Sequence, residues 1–164
     1  MSVTTMDELF LDGLKDVYYA EKQILKSLPK MARKATSSEL SAAFEAHHKE
    51  TEGQVERLEQ VFESLGKAAR GKKCDAIEGL IDEAKEKMDD VDGGPVLDAG
   101  LLADAQAVEH YEIARYGTLV EWAKLLGHAD AAKLLKQTLD EEEATDKKLN
   151  SLAKSQVNKT AKAA

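Results

Sequence analysis

Apolar residues recur with helical spacing along four long stretches, and the links between those stretches run short, long, short. This constrains the fold more than any other feature, because an apolar stripe must be buried against another and a short link forces its two helices to pair antiparallel. Thr5 and Glu8 form a capping box ahead of Phe10, Leu14, Val17, Ile24 and Leu28, which predicts a helix from about Asp7 to Met31. Pro29 should kink or fray its last turn. A second box, Thr36 with Glu39, opens a stretch carrying Leu40, Phe44, Leu58, Val61 and Phe62 up to Gly66. Pro95 suits a helix start, and Leu97, Leu101, Leu102, Leu119 and Trp122 carry that helix to Gly127. Ala131, Leu135, Leu139, Leu149 and Leu152 mark the last one. Between the two hairpins, Ile77, Leu80, Ile81, Ala84 and Met88 predict a shorter helix inside the crossover.

The fold class expected is all-α, a ferritin-like four-helix bundle of two antiparallel helical hairpins with a long crossover containing an extra short helix. A weak internal repeat agrees with it: Asp16-Val-Tyr-Tyr-Ala-Glu21 aligns with Asp104-Ala-Gln-Ala-Val-Glu109. Residues 1–155 read as one domain, and 156–164 as a flexible tail rich in lysine and alanine with too few apolar side chains to order itself. The net charge of −8 argues against nucleic acid or an anionic membrane surface as the main partner. The single cysteine, Cys74, rules out an internal disulfide framework and any Cys-x-x-Cys motif. No stretch reaches the roughly 18 apolar residues of a membrane span, and the expected location is the cytoplasm.

Acids occupy positions that ought to be buried. The first helix places Glu21 at the centre of the seam Phe10, Leu14, Val17, Ile24, Leu28. The second offers His47 and Glu50 one turn apart, followed by Gln54. The third long helix carries Glu109 and Glu112 ahead of Tyr116, and the last carries Glu142 between Thr138 and Thr145. Five carboxylates and one imidazole converging in an apolar core would repel one another, and a pair of divalent cations neutralises them economically. Oxygen ligands with a minority of nitrogen suit iron or manganese better than zinc. The rival reading is a solvated charged face. His48 and His110 are rotated away from the seams, Tyr18, Tyr111 and Tyr116 read as core packing, and Cys74 reads as an idle thiol in a flexible connection.

The runs Tyr19-Ala-Glu21-Lys-Gln-Ile24, His47-x-x-Glu50-Thr51-x-x-Gln54, Val108-Glu-His-Tyr-Glu-Ile113 and Thr138-Leu-Asp-Glu-Glu142 resemble the YciE/YciF stress-protein family of ferritin-like bundles, over nearly the whole chain. The resemblance implies a bacterial, dimeric helical protein related to rubrerythrin with a di-iron site. It implies Glu21 as one single ligand, Glu109 and Glu112 as a rubrerythrin-like pair, and Glu50 and Glu142 as the acids of two Glu-x-x-His motifs. Here the chain departs from the pattern: Gly53 and Thr145 stand where the two histidines belong. His47, three residues before Glu50, offers a reversed motif, and sliding the repeat by one residue exchanges Glu142 for Glu141.

The function expected is a dinuclear iron or manganese carboxylate protein reacting with oxygen or peroxide, as a ferroxidase or peroxidase in stress protection, with an external reductant. Its metals would be held by Glu21, His47, Glu50, Glu109, Glu112 and Glu142 or Glu141. The alternative is a structural or protein-interaction bundle whose polar core is a relic. A homodimer is the expected assembly.

Overall fold

The structure is a computed structural model that describes residues 3–164. All regular structure among the described residues is helical, in the order α1 (Met6–Lys34), α2 (Ser38–Ser64), α3 (Asp75–Asp90), α4 (Pro95–Leu125), α5 (Ala129–Leu152) and α6 (Asn158–Ala163). A π-helical turn, Ala153–Val157, joins α5 to α6. α1 pairs with α2 and α4 with α5, the two hairpins close on each other through α1 with α4 and α2 with α5, and α3 lies across α1 and α4. This is the ferritin-like connectivity that the link lengths predict.

The helix ends follow local chemistry. Thr5 caps α1 through its hydroxyl while Glu8 reaches back to the Thr5 amide. Gly66 and Gly127, at φ of 65° and 78°, take the left-handed position after α2 and α4. Each closes a double turn: Lys67 N–H bonds Phe62 O and Gly66 N–H bonds Glu63 O, as His128 bonds Ala123 and Gly127 bonds Lys124.

Three local expectations are corrected. Pro29 neither ends nor frays α1, which continues to Lys34, because burial of Met31 and Ala32 outweighs the missing donor. The cap of α2 is Ser37, whose Oγ accepts from Leu40 N–H at 3.2 Å, rather than Thr36. Thr36 is drawn away by Asp98 of α4, a buried carboxylate that accepts from Thr36 N–H, Thr36 Oγ1 and Ser37 N–H at 2.6–2.8 Å. Asp98→Ala orphans two backbone donors at this corner and should cost about 2–4 kcal/mol, read as a lower urea midpoint at unchanged helicity. An unchanged midpoint would show that water replaces the carboxylate at no loss. The third is the segment 156–164, expected to be a flexible tail: it is helical as far as Ala163, and Val157 is buried in the core.

The apolar interior falls into two clusters. One holds Ile24, Leu28, Leu40, Phe44, Leu101, Ala105 and Leu149, together with the inner side of α3. The other holds Phe10, Leu14, Val17, Leu58, Val61, Tyr116, Leu119 and Leu135. Along every long helix the seam passes from one cluster to the other through a polar step: Glu21, then His47 to Gln54, then Glu109 and Glu112, then Glu142. The bundle therefore encloses a charged layer at mid-height.

Candidate metal centre

His47, Glu109, Glu112 and Glu142 each offer a ligand atom, and these atoms all lie within 4.8 Å of one another. All four are buried, as is Glu21, whose side chain is fully enclosed. The helices bring them together because each residue sits on its own seam at mid-length, so burying the stripes carries the acids inward.

Neutral donors anchor the outer carboxylates. Tyr116 OH of α4 donates to Glu21 Oε1, and Gln54 Nε2 of α2 donates to Glu142 Oε1. The second oxygen of each, Glu21 Oε2 and Glu142 Oε2, is buried without a partner. Glu109 Oε2 and both oxygens of Glu112 are equally unpartnered. His47 Nε2 lies 3.1 Å from Glu109 Oε1, but not along a line that a ring N–H can use, so both ring nitrogens lack a hydrogen bond. Thr51 Oγ1 bonds the His47 carbonyl at 2.9 Å and steadies the helix behind it.

Such a layer is electrostatically strained. Burial raises Glu21 to about 7 against the support of Tyr116, and burial among like charges raises Glu112 and Glu142 well above the usual carboxylate range. For His47 burial acts downward, yet the carboxylates of Glu109, Glu50 and Glu21 outweigh it and lift the imidazolium to about 10. Burial and the facing Glu21 and Glu112 raise the Tyr116 phenol, which keeps it a donor. Buried acceptors left unpartnered cost several kcal/mol unless protons or cations occupy them. This donor set, four carboxylates with free oxygens around one imidazole, fits a hard divalent cation such as iron or manganese.

The remaining candidates stand further out. Glu50 is half-buried, 3.9 Å from His47 Nδ1, and accepts from Thr145 Oγ1 at 3.2 Å. The imidazole beside it and Lys148 keep its carboxyl below the ordinary range in spite of partial burial. Glu141 is outside the cluster: Arg57 grips it with two bonds of 2.9 and 3.0 Å and also reaches Thr138 Oγ1 at 2.6 Å. Geometry thus separates the two adjacent acids, with Glu142 inside and Glu141 held at the rim by a guanidinium. Tyr116, read from the sequence as core packing, and Gln54, read as a seam residue, anchor the site. Their signal was polarity at seam positions one turn from an acid. Cys74, expected as an idle thiol in the connection, stands at the N-cap position of α3 without a side-chain cap bond and is buried, with Sγ 3.1 Å from Tyr111 OH.

Fold and site define a class: a two-hairpin helical bundle with a buried layer of carboxylates and one histidine at mid-height, able to hold a metal ion. No helix among the described residues is long and apolar enough to cross a membrane. The chain belongs to the family described as domain of unknown function (DUF892), which matches residues 5–162. It is 51% identical over 162 residues to Protein YciF of Escherichia coli (strain K12), covering 98% of each chain. The crystal structure of that stress protein superposes with a TM-score of 0.91, covering 96% of this chain and 99% of the other. YcfI from Rhodopseudomonas palustris, provisionally classed as a structural protein, is 52% identical with a TM-score of 0.89, covering 91% and 95%. A protein from Xanthomonas campestris pv. campestris, 22% identical with a TM-score of 0.73 over 92% of each chain, shares the fold.

Proposed function

We propose that the chain is a carboxylate-rich metal protein that takes up a pair of iron ions, with manganese as the alternative occupant, and serves in protection against oxygen or peroxide stress. The observation that carries this reading is the convergence of buried, unpartnered ligand atoms from Glu21, His47, Glu109, Glu112 and Glu142. The stress-protein description of the E. coli relative, at 51% identity, supports the physiological side.

Glu109, Glu112, Glu142 and His47 would hold the metal, with Glu21 contributing its free Oε2. When bound, such a pair supplies Lewis acidity and electrons for reduction of oxygen or peroxide. The protein's own part is orientation and exclusion of water. Tyr116 and Gln54 fix one oxygen of Glu21 and of Glu142 and leave the other free, while Arg57 holds Glu141 out of the site. His47 must give up its extra proton before a nitrogen lone pair is available, so uptake should release protons. Glu50, half-buried beside His47 Nδ1 and Thr145, is placed to pass such a proton to solvent. With Cys74 as its one cysteine, the chain carries no Cys-x-x-Cys electron donor, and a reductant would come from outside. A homodimer is the assembly we propose.

A second reading, a structural bundle, draws on the description of the R. palustris relative. Elemental mass spectrometry on protein purified without tag or chelator, paired with anaerobic Fe(II) titration, separates the two. About two ions per chain are expected. Glu142→Gln should lose saturable uptake, whereas Glu141→Gln should retain it at wild-type stoichiometry. No saturable uptake by the wild type would leave only the structural reading.

A further inference from the structure

A cavity of about 30 Å³ lies beneath the crossover helix, between α1, α3 and α4, and ends on the His47–Glu109 edge of the site. Its walls include Ile24, Leu28, Met31, Leu80, Ile81 and Ala84, and although Ser27 and Asp104 also line it, the surface that faces the cavity is apolar. Roughly 10–15 Å³ is space enough for one water, but a water also needs two to four polar partners, which this wall does not supply. Such a cavity discriminates in favour of small uncharged guests. Leu80 and Val108, both half-buried, are the lining residues nearest to solvent.

On the other side of the same pair, between α2, α4 and α5, lies a second cavity of about 50 Å³, whose surface is also almost wholly apolar. Glu50, Thr145 and Lys148 line it, and both Glu50 and Lys148 reach solvent. His47, Ala105 and Glu109 are walls of both spaces. The two cavities therefore flank the His47–Glu109 pair, and only the second has charged side chains that reach solvent in its lining. α3 roofs the first cavity and is pinned by polar contacts towards its two ends: Tyr19 OH to Glu78 at 2.6 Å and Cys74 to Tyr111 near the start, and Lys87 to Asp104 near the finish. Between these pins only apolar side chains cover the cavity.

We infer that the cavity under α3 is a binding pocket for a small neutral molecule, dioxygen, and its last station before the His47–Glu109 edge, with the crossover helix as roof. The delivery role rests on the metal reading above; occupancy of the pocket does not. Xenon is the probe. Metal-free wild-type protein, followed by methyl NMR under xenon pressure, should show saturable shifts at Ile24, Leu28 and Ile81. Ala84→Leu, which fills the cavity from the roof, should lose them, as should Val108→Phe, which fills it from α4 should the first variant fold poorly. Loaded anaerobically with Fe(II), either variant should bind as much iron as wild type and oxidise it severalfold more slowly on exposure to dioxygen. Absence of saturable shifts in the wild type overturns the pocket. Xenon lost with the oxidation rate unchanged overturns the delivery role. Xenon bound in a chain that takes up no Fe(II) also overturns delivery, and assigns that failure to the metal reading rather than to the cavity.

Discussion

Stripped of metal by a chelator, the chain is expected to be most stable near pH 5 and to lose stability steadily towards pH 9. Glu21 is raised from about 4.5 unfolded to about 7 folded. Its contribution is therefore fully present below pH 4.5 and is lost as pH rises through 7, a loss of about 3 kcal/mol at one pKa unit per 1.4 kcal/mol. His47 works in the same direction over a later window: its pKa of 6.5 unfolded rises to about 10 folded, so its contribution is intact below 6.5 and disappears towards 10. Glu50 sets the acid side, because a lowered carboxyl stabilises above its unfolded value and loses that effect as pH falls. Urea midpoints at pH 5, 7 and 9 measure the slope. A flat or rising profile would mean that the acids are hydrated rather than enclosed. Adding Mn(II) or Fe(II) at pH 8 should recover the loss, by about 2.7 kcal/mol at a hundred times the dissociation constant. The gain should shrink at pH 5, where protons compete for the same oxygens.

Glu112→Gln is expected to move binding and metal-free stability in opposite directions. Both Glu112 oxygens are buried without a partner, and burial together with the charges of Glu21 and Glu109 raises it. An amide of the same shape removes the repulsion and supplies donors to those neighbours. In the absence of metal the variant should gain about 1–4 kcal/mol at pH 8, by analogy with buried ion pairs replaced by uncharged side chains. In a chain of this size that is roughly 2–4 °C of thermal midpoint per kcal/mol. Saturable Fe(II) uptake should be lost at the same time. Such opposed effects are the mark of a site kept for binding at a cost in stability, and a residue with a structural role would show the reverse. A destabilised variant that still takes up iron would remove Glu112 from the centre.

The all-helical fold and its hairpin connectivity were legible in the sequence, because apolar stripes at helical spacing and two short links leave few ways to bury the stripes. So was the charged layer: Glu21, His47, Glu109, Glu112 and Glu142 sit at mid-seam, and a seam that must face inward carries its acids with it. Local rules failed where a distant partner intervened. Thr36 lost the cap of α2 to Ser37 because Asp98, far along the chain, holds its amide and hydroxyl. The last residues are helical because Ala153 and Val157 pack into the apolar cluster of Leu28, Leu40 and Leu149, which their own composition does not announce. Which of two adjacent acids faces the site was likewise open in sequence, since a shift of one residue exchanges them. It was decided by Arg57, which bonds Glu141 across the bundle and leaves Glu142 inside. The sequence determined what has to be buried, through spacing along each helix. Tertiary structure alone decided which polar group each buried acid meets and where cavities remain, because both depend on side chains brought from separate helices.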